Sequence, residues 1–192
     1  MVFRRLGGEV IPVLGIIVEG SYDEKIIRAF ISRMRSEDPV IRPVGGKSKL
    51  GKKLPGWLEY FHYQNKDIDK VLVIRDQDQE CIKTVVEKLQ NKLAGHRYPF
   101  KIKFCVIKVT IETWLLADER AIGNVVGQHV PPVMGSLEDI ENPKDCLMQI
   151  LTTAKVGYTD EKAGQIAAAA DLEKIAYRCP GFNRFREDIQ DC

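Results

Sequence analysis

The chain has 192 residues, 44% of them hydrophobic and 29% charged, with 29 Lys and Arg against 27 Asp and Glu for a net charge of +2. That length supports a substantial core, expected as one compact domain with a small extension, and the near-neutral balance excludes a uniformly basic nucleic-acid or membrane-surface protein. Any basic site has to be local. Five cysteines (Cys81, Cys105, Cys146, Cys179, Cys192) are odd in number and widely spaced, with no C-x-x-C pair, which argues against a disulfide framework and against zinc. A reducing cytoplasm suits that pattern. The oily stretch near the start is too short to span a bilayer, is preceded by Glu9, and lacks a small-residue cleavage site, so no membrane segment is expected.

In chain order, "PVLGIIV" (12–18) is a continuous apolar run, as in a strand covered on both faces. "GSYDEKIIRAFISRM" follows, with Ile26, Ile27, Phe30, Ile31 and Met34 on one helical stripe and Ser21 with Glu24 as its capping box. "VIRPV" (40–44) reads as a second strand, and "GGKSKLGKKLPG" as a loop leading to a helix over 57–64. "KVLVIR" (70–75) is the third strand, followed by a helix carrying Ile82, Val85, Val86, Leu89 and Leu93. "IKFCVIKV" (102–109) is the fourth, and "TIETWLLADERAIGNVV" opens one more helix. Strands alternating with helices predict an α/β domain with a mostly parallel sheet of about four strands and right-handed crossovers, spanning residues 1–135. Residues 136–192 read as a C-terminal helical extension packed on the same domain, with too few apolar positions for a second core.

Ligands of open parallel sheets bind beyond the carboxyl ends of the strands. Glu19 ends the first strand, Asp76 and Asp78 the third, and Glu112 follows the fourth, so distant segments deliver acids to one rim. Clustered carboxylates repel one another, and a hard cation relieves that repulsion; a D-x-D pair can reach one magnesium ion as the chain turns. The plainer reading has Asp78 capping the next helix and Glu80 favoured by its dipole. Four acids on one rim favour the metal.

"VEGSYD" (18–23) followed by "VIRDQD" (73–78) resembles the Toprim signature, a strand-ending E-G-x-x-D turn with a downstream D-x-D, shared by topoisomerases, primases and OLD-type nucleases. "IETWLLAD", "NPKDCL" and "CPGFNRF" further resemble a short branch, domain-of-unknown-function family 4276. The resemblance covers most of the chain and implies a Rossmann-like Toprim fold. It also implies a magnesium-dependent nuclease cutting DNA or RNA with one or two Mg²⁺ or Mn²⁺ ions, in defence against foreign nucleic acid. Glu19, Asp76, Asp78 and Glu112 would serve as catalytic residues and metal ligands, with Glu19 as general acid or base and Gly20 and Asp23 forming the turn. No topoisomerase tyrosine domain or primase zinc cysteines accompany them, which leaves hydrolysis or binding. OLD-type proteins also suggest a separate ATPase partner, so the alternative is a non-catalytic nucleic-acid-binding or regulatory subunit.

A nuclease must also hold its strand. Residues 42–58 carry five cations and no acid, and residues 97–111 four more; Lys47, Lys49, Lys52, Lys53 and Lys108 are the candidates for nucleic-acid phosphates, with a solvated loop as the bland alternative. "GGKS" is not a P-loop, since Ile41 stands where the pattern needs glycine. Trp57, Phe61 and Trp114 read as packing residues. A haloacid-dehalogenase-type phosphohydrolase or sugar transferase fits poorly, because that dehalogenase class carries its D-x-D on the first strand.

Overall fold

The structure, a computed structural model, describes the backbone of residues 5–6 and 9–10 and residues 13–64 and 67–190 in full. Position 12, the first residue of the predicted opening strand, and Cys192 lie outside the described residues. Two two-residue strands, β1 (Arg5–Leu6) and β2 (Glu9–Val10), pair antiparallel. The main sheet then builds from β3 (Val13–Val18), β4 (Val40–Pro43), β5 (Ile68–Asp76) and β6 (Lys101–Ile107), all parallel, in the order β4-β3-β5-β6. The chain winds outward from β3 first to one side and then to the other. The carboxyl ends of β3 and β5 therefore flank the topological switch point, where such sheets bind ligands.

Alternation along the strands divides the core into two layers. Leu14, Ile16, Leu72, Ile74, Cys105 and Ile107 face α1 (Ser21–Ile31), whose buried stripe is Ile26, Ile27, Phe30 and Ile31. Ile17, Val71 and Val73 face the opposite layer, formed by α2 (Lys47–Gln64) and α3 (Ile82–Lys92). The first layer also takes in α4 (Glu112–Leu115), α5 (Glu119–Val126), α6 (Pro143–Thr153), α7 (Asp160–Ala169), α8 (Leu172–Arg178) and α9 (Pro180–Gln190). Trp114 sits at its centre, with the rings of Phe182 at 5.0 Å, Phe185 at 5.1 Å and Phe30 at 6.2 Å. Among the described residues no helix is long and apolar enough to cross a membrane.

Four local expectations need correction. The "GGKSKLGKKLPG" segment is not a loop: α2 begins at Lys47, and Leu50, Leu54, Leu58 and Phe61 form one buried stripe. Its helix-breaking composition hid this periodicity. Pro55 leaves the Gly51 carbonyl without its helical N–H donor, and burial of the leucines outweighs that loss and the poor local propensity. Phe61 also explains Gly15, where a Cβ would stand 3.1 Å from the Phe61 ring; the bare backbone lets α2 approach the sheet. The capping box of α1 uses other residues. Gly20 is the N-cap and its N–H donates to Asp23 Oδ2 at 2.8 Å, while Glu24 turns to Arg28 at 3.0 Å. The helix predicted after the fourth strand breaks in two, because Asp118 takes an extended conformation and caps α5 through the Arg120 N–H. Finally, β6 stops at Ile107 rather than 109, since Val109 adopts φ +62°, which no strand accommodates.

Candidate functional site

The same alternation that sorts the core sorts the acids. Arg75 continues the side of β5 that carries Val71 and Val73, whereas Asp76 continues the side of Leu72 and Ile74. Asp76 thus faces the α1 layer, and the acids around the switch point fall into two groups, one on each face.

On the α1 side stand Asp76, Asp23 and Glu112. Asp23 comes from the first turn of α1, fixed by its bond from the Gly20 N–H. Glu112 opens α4 and is 3% exposed. Asp76 is held well above the ordinary aspartate range, first by burial and then by the negative charges of Asp23, Glu112, Glu19 and Asp78. Among the described residues no cation pairs with it. Asp23 is pushed up to about 6, mainly by burial, with Glu112 adding to the shift and the Gly20 hydrogen bond opposing it. The helical segments after residue 136 complete this group. Tyr158 Oη donates to Glu112 Oε1 at 3.1 Å, and Tyr22 Oη donates to the Tyr158 carbonyl at 3.2 Å. Burial raises the Tyr158 phenol, and the neighbouring Glu112 carboxylate raises it further, so it acts as a hydrogen-bond donor throughout the ordinary pH range. Lys144 Nζ lies 4.0 Å from Glu112 Oε1 and 5.1 Å from the Tyr22 ring centroid. It approaches the acids without saturating them.

On the other side, Glu19, Asp78 and Glu80 meet fixed cations. Arg75 Nε lies 3.6 Å from Glu19 Oε1, and Arg75 Nη2 lies 2.7 Å from Glu80 Oε1. Glu80 is bonded in turn by Lys88, and it precedes α3 rather than entering its first turn. Lys47 Nζ reaches Asp78 Oδ2 at 2.5 Å. Asp78 does not cap α3: the N-cap is Cys81, and Asp78 adopts φ +54° with its N–H donating to the carbonyl of Val109 at 2.9 Å. Two residues in the left-handed region thus tie the tips of β5 and β6 together, Val109 at a cost of about 1–3 kcal/mol. Glu19 is pushed up to about 7, first by burial and then by Asp23 and Asp78, with Arg75 and Lys47 pulling the other way. Its Oε1 accepts no hydrogen bond. The turn behind it needs glycine: Gly45 and Gly46 both have positive φ, and the Gly46 N–H donates to the Glu19 carbonyl at 2.6 Å.

The four acids singled out from the sequence, Glu19, Asp76, Asp78 and Glu112, therefore share one rim but not one face. Among the described residues no three His, Cys, Asp or Glu side chains converge as a ready-made ligand set. The donors present are nonetheless hard carboxylate oxygens of the kind magnesium and manganese take, and Asp76 lies among like charges with no cation of its own.

Of the candidate lysines, Lys47 is at the rim, and Lys49 and Lys52 are exposed on the first turns of α2. Lys53 donates to the Val44 carbonyl at 2.9 Å. Lys108 stands apart, paired with Asp139 at 3.1 Å and Glu138 at 3.7 Å. A cleft of about 570 Å³ opens at the rim between Lys47 and Lys144, with Asp78, Glu80 and Thr110 along it. Arg186, from the tail motif, pairs with Glu173 at 2.8 Å.

Sequence reasoning missed four members of the site. Asp23 was visible in the E-G-x-x-D turn but read as a turn residue only. Arg75 could have been placed by strand parity. Lys144 and Tyr158 carry no local signal, since tertiary packing alone brings them to Glu112.

Among solved structures, the C-terminal region of the Burkholderia pseudomallei OLD protein superposes with a TM-score of 0.53 at 13% sequence identity, over 92% of this chain and 98% of that one. The two share a fold. No family model matches this chain, and no curated protein does. The fold expected from the sequence is thus shown: a four-stranded parallel sheet flanked by helices, with a helical C-terminal region.

Proposed function

We propose that this chain is a divalent-cation-dependent nuclease of the Toprim kind, hydrolysing phosphodiester bonds of DNA or RNA. One observation carries the reading: Asp23, Asp76 and Glu112 raise one another's proton affinity beside the switch point of a parallel sheet, partly or fully buried, with Lys144 as the counter-charge found near them among the described residues. An arrangement so costly for the empty fold is what a cation site requires. A bound Mg²⁺ or Mn²⁺ would neutralise charge building on the oxygens of the phosphodiester.

The chain's own groups supply the rest. Glu19, pushed up to about 7 chiefly by burial, is suited to exchange a proton with an attacking water near neutral pH. Tyr158 fixes the rotamer of Glu112. Lys47 and Lys144 flank the cleft, and with Lys49 and Lys52 they draw in a phosphate backbone. Of the four acids read from the sequence, Asp76 and Glu112 keep the ligand role here, Glu19 keeps the proton-transfer role, and Asp78 stays engaged with Lys47.

The test is cleavage of labelled single- and double-stranded DNA and RNA with Mg²⁺ or Mn²⁺, using Glu19→Gln and Asp76→Asn as controls. Cleavage lost in both variants supports the proposal. A folded, metal-binding protein that retains nucleic acid without cutting it favours the alternative, a binding or regulatory subunit that acts with a separate ATPase. The ion pairs already engaging Glu19 and Asp78 are the observation on that side. A role in defence against foreign nucleic acid belongs to the same proposal and would follow from activity on invading DNA in cells.

A further inference from the structure

We infer that one flank of α2, with Arg42 of the edge strand β4 beside it, is a track for a single-stranded polynucleotide running from the rim. The inference deepens the reading above, that the rim receives a phosphodiester, and depends on no bound cation. Contacts between α2 and the β4 end mark the flank. A Cβ added at Gly45 would lie 3.8 Å from Lys49 Nζ. Lys53 Nζ donates to the Val44 carbonyl at 2.9 Å, and Arg42 Nη2 donates to Tyr60 Oη at 3.2 Å. These contacts step backward along β4 as the helix advances. Lys49, Lys53, Trp57 and Tyr60, at the spacing of one helical face, therefore form a single line. At roughly 1.5 Å of rise per residue that line is about 16 Å long. It starts at the Gly45–Gly46 turn, where the Gly46 N–H bonds the Glu19 carbonyl, so it is continuous with the rim.

Charge and ring follow one another along this flank. Among the described residues, Arg42, Lys49 and Lys53 pair with no carboxylate. The acid of this helix, Glu59, lies on the other flank, close enough to Tyr98 to help raise its phenol. Backbone phosphates thus meet Lys49 and Lys53 without competition from a fixed anion. Further along, Tyr60 is 36% exposed, and its ring stands 5.4 Å from that of Trp57 at 81°. The Arg42 guanidinium lies over the Tyr60 ring, 5.3 Å from its centroid. Trp57 is half-buried, whereas the adjoining Phe61 is wholly inside. Two rings and a guanidinium plane at the surface offer stacking faces that any unpaired base can use. A duplex keeps its base faces in its own stack, so the rings favour a single strand where cations alone would not.

The chain has two tryptophans, and Trp114 is 1% exposed, so a fluorescence change on binding reports Trp57. The test titrates the full chain, in EDTA to prevent cleavage, with oligothymidylate, oligouridylate and a DNA duplex of equal length. Single strands are expected to quench Trp57 and to bind more tightly than the duplex. Tyr60→Ala should weaken single-strand binding about tenfold. Lys49→Gln combined with Lys53→Gln should flatten the salt dependence by roughly 1.4 in log-log slope. Trp57→Phe should remove the signal. Duplex binding as tight as single-strand binding would overturn the track, as would single-strand binding unchanged in Tyr60→Ala and in the double lysine variant. Cleavage by the same protein with Mg²⁺ or Mn²⁺ would still stand in either case. Binding along the track with no cleavage under any metal would overturn the nuclease reading and leave the track. No binding of any probe would overturn both.

Discussion

The two faces of the rim are built from the same strand ends, one residue apart on β5, and solve the same electrostatic problem differently. Around Glu19, Asp78 and Glu80 the protein brings its own cations, although burial still pushes Glu19 up to about 7. Around Asp76, Asp23 and Glu112 it supplies one partly exposed lysine and a tyrosine, and Asp76 and Asp23 keep their protons to higher pH. Pre-neutralised acids are good for shape and orientation. Acids with few partners take up protons instead, and on the proposed reading a divalent cation would replace those protons.

The largest expected effect comes from breaking the unpartnered half. Asp76→Asn should lower Mg²⁺-dependent cleavage on the order of 10³-fold or more, since electrostatic stabilisation at a reacting phosphate is usually a dominant contribution. In the absence of metal the same variant should unfold at a higher temperature than wild type, because it removes a buried charge among like charges. A lower melting temperature for metal-free Asp76→Asn would contradict the account of this half.

Next comes pH. Glu19 and Asp23 have folded-state values of about 7 and about 6, above their ordinary 4.5 and 3.8. The folded state therefore binds protons more tightly than the unfolded chain. That stabilisation is complete below about pH 4 and fades as pH rises through 6 and 7. For Glu19 alone the loss amounts to roughly 3 kcal/mol. Metal-free urea melts between pH 4.5 and 8 should show this decline, and millimolar Mg²⁺ should reverse much of it at pH 8.

A ligand confined to the folded state stabilises by about 2.7 kcal/mol at a hundred times its dissociation constant. Thermal melts with Mg²⁺ should show such a gain in wild type and lose it in Asp23→Asn. The smallest effect is expected in the paired half: Glu80→Gln should shift the metal-free melting temperature by no more than about 2 °C, as exposed ion pairs do. A large change there would mean that the two halves are not energetically distinct.

Much of this was legible in the sequence where burial and periodicity agree. The strand runs of 14–18 and 71–74 are buried on both faces, and their apolar continuity reports that directly. The acids at their ends were equally plain. What escaped was set by context. Helix α2 is written with Gly51, Pro55 and Gly56, residues that argue locally against a helix and are overruled by Leu50, Leu54, Leu58 and Phe61. The division of the acids into two faces follows from the period of a strand, yet only the positions of α1 and α2 say which face is which. Lys144 and Tyr158 lie 32 and 46 residues beyond Glu112 and meet it through packing alone.

That last contact has a consequence in time. A ribosome adding about 5–20 residues per second needs roughly 2 to 9 s to pass from position 112 to position 158. Throughout that interval the acids of the rim exist on the nascent chain without the phenol that clamps Glu112. Glu112 is therefore clamped late, after every strand of the sheet has been made.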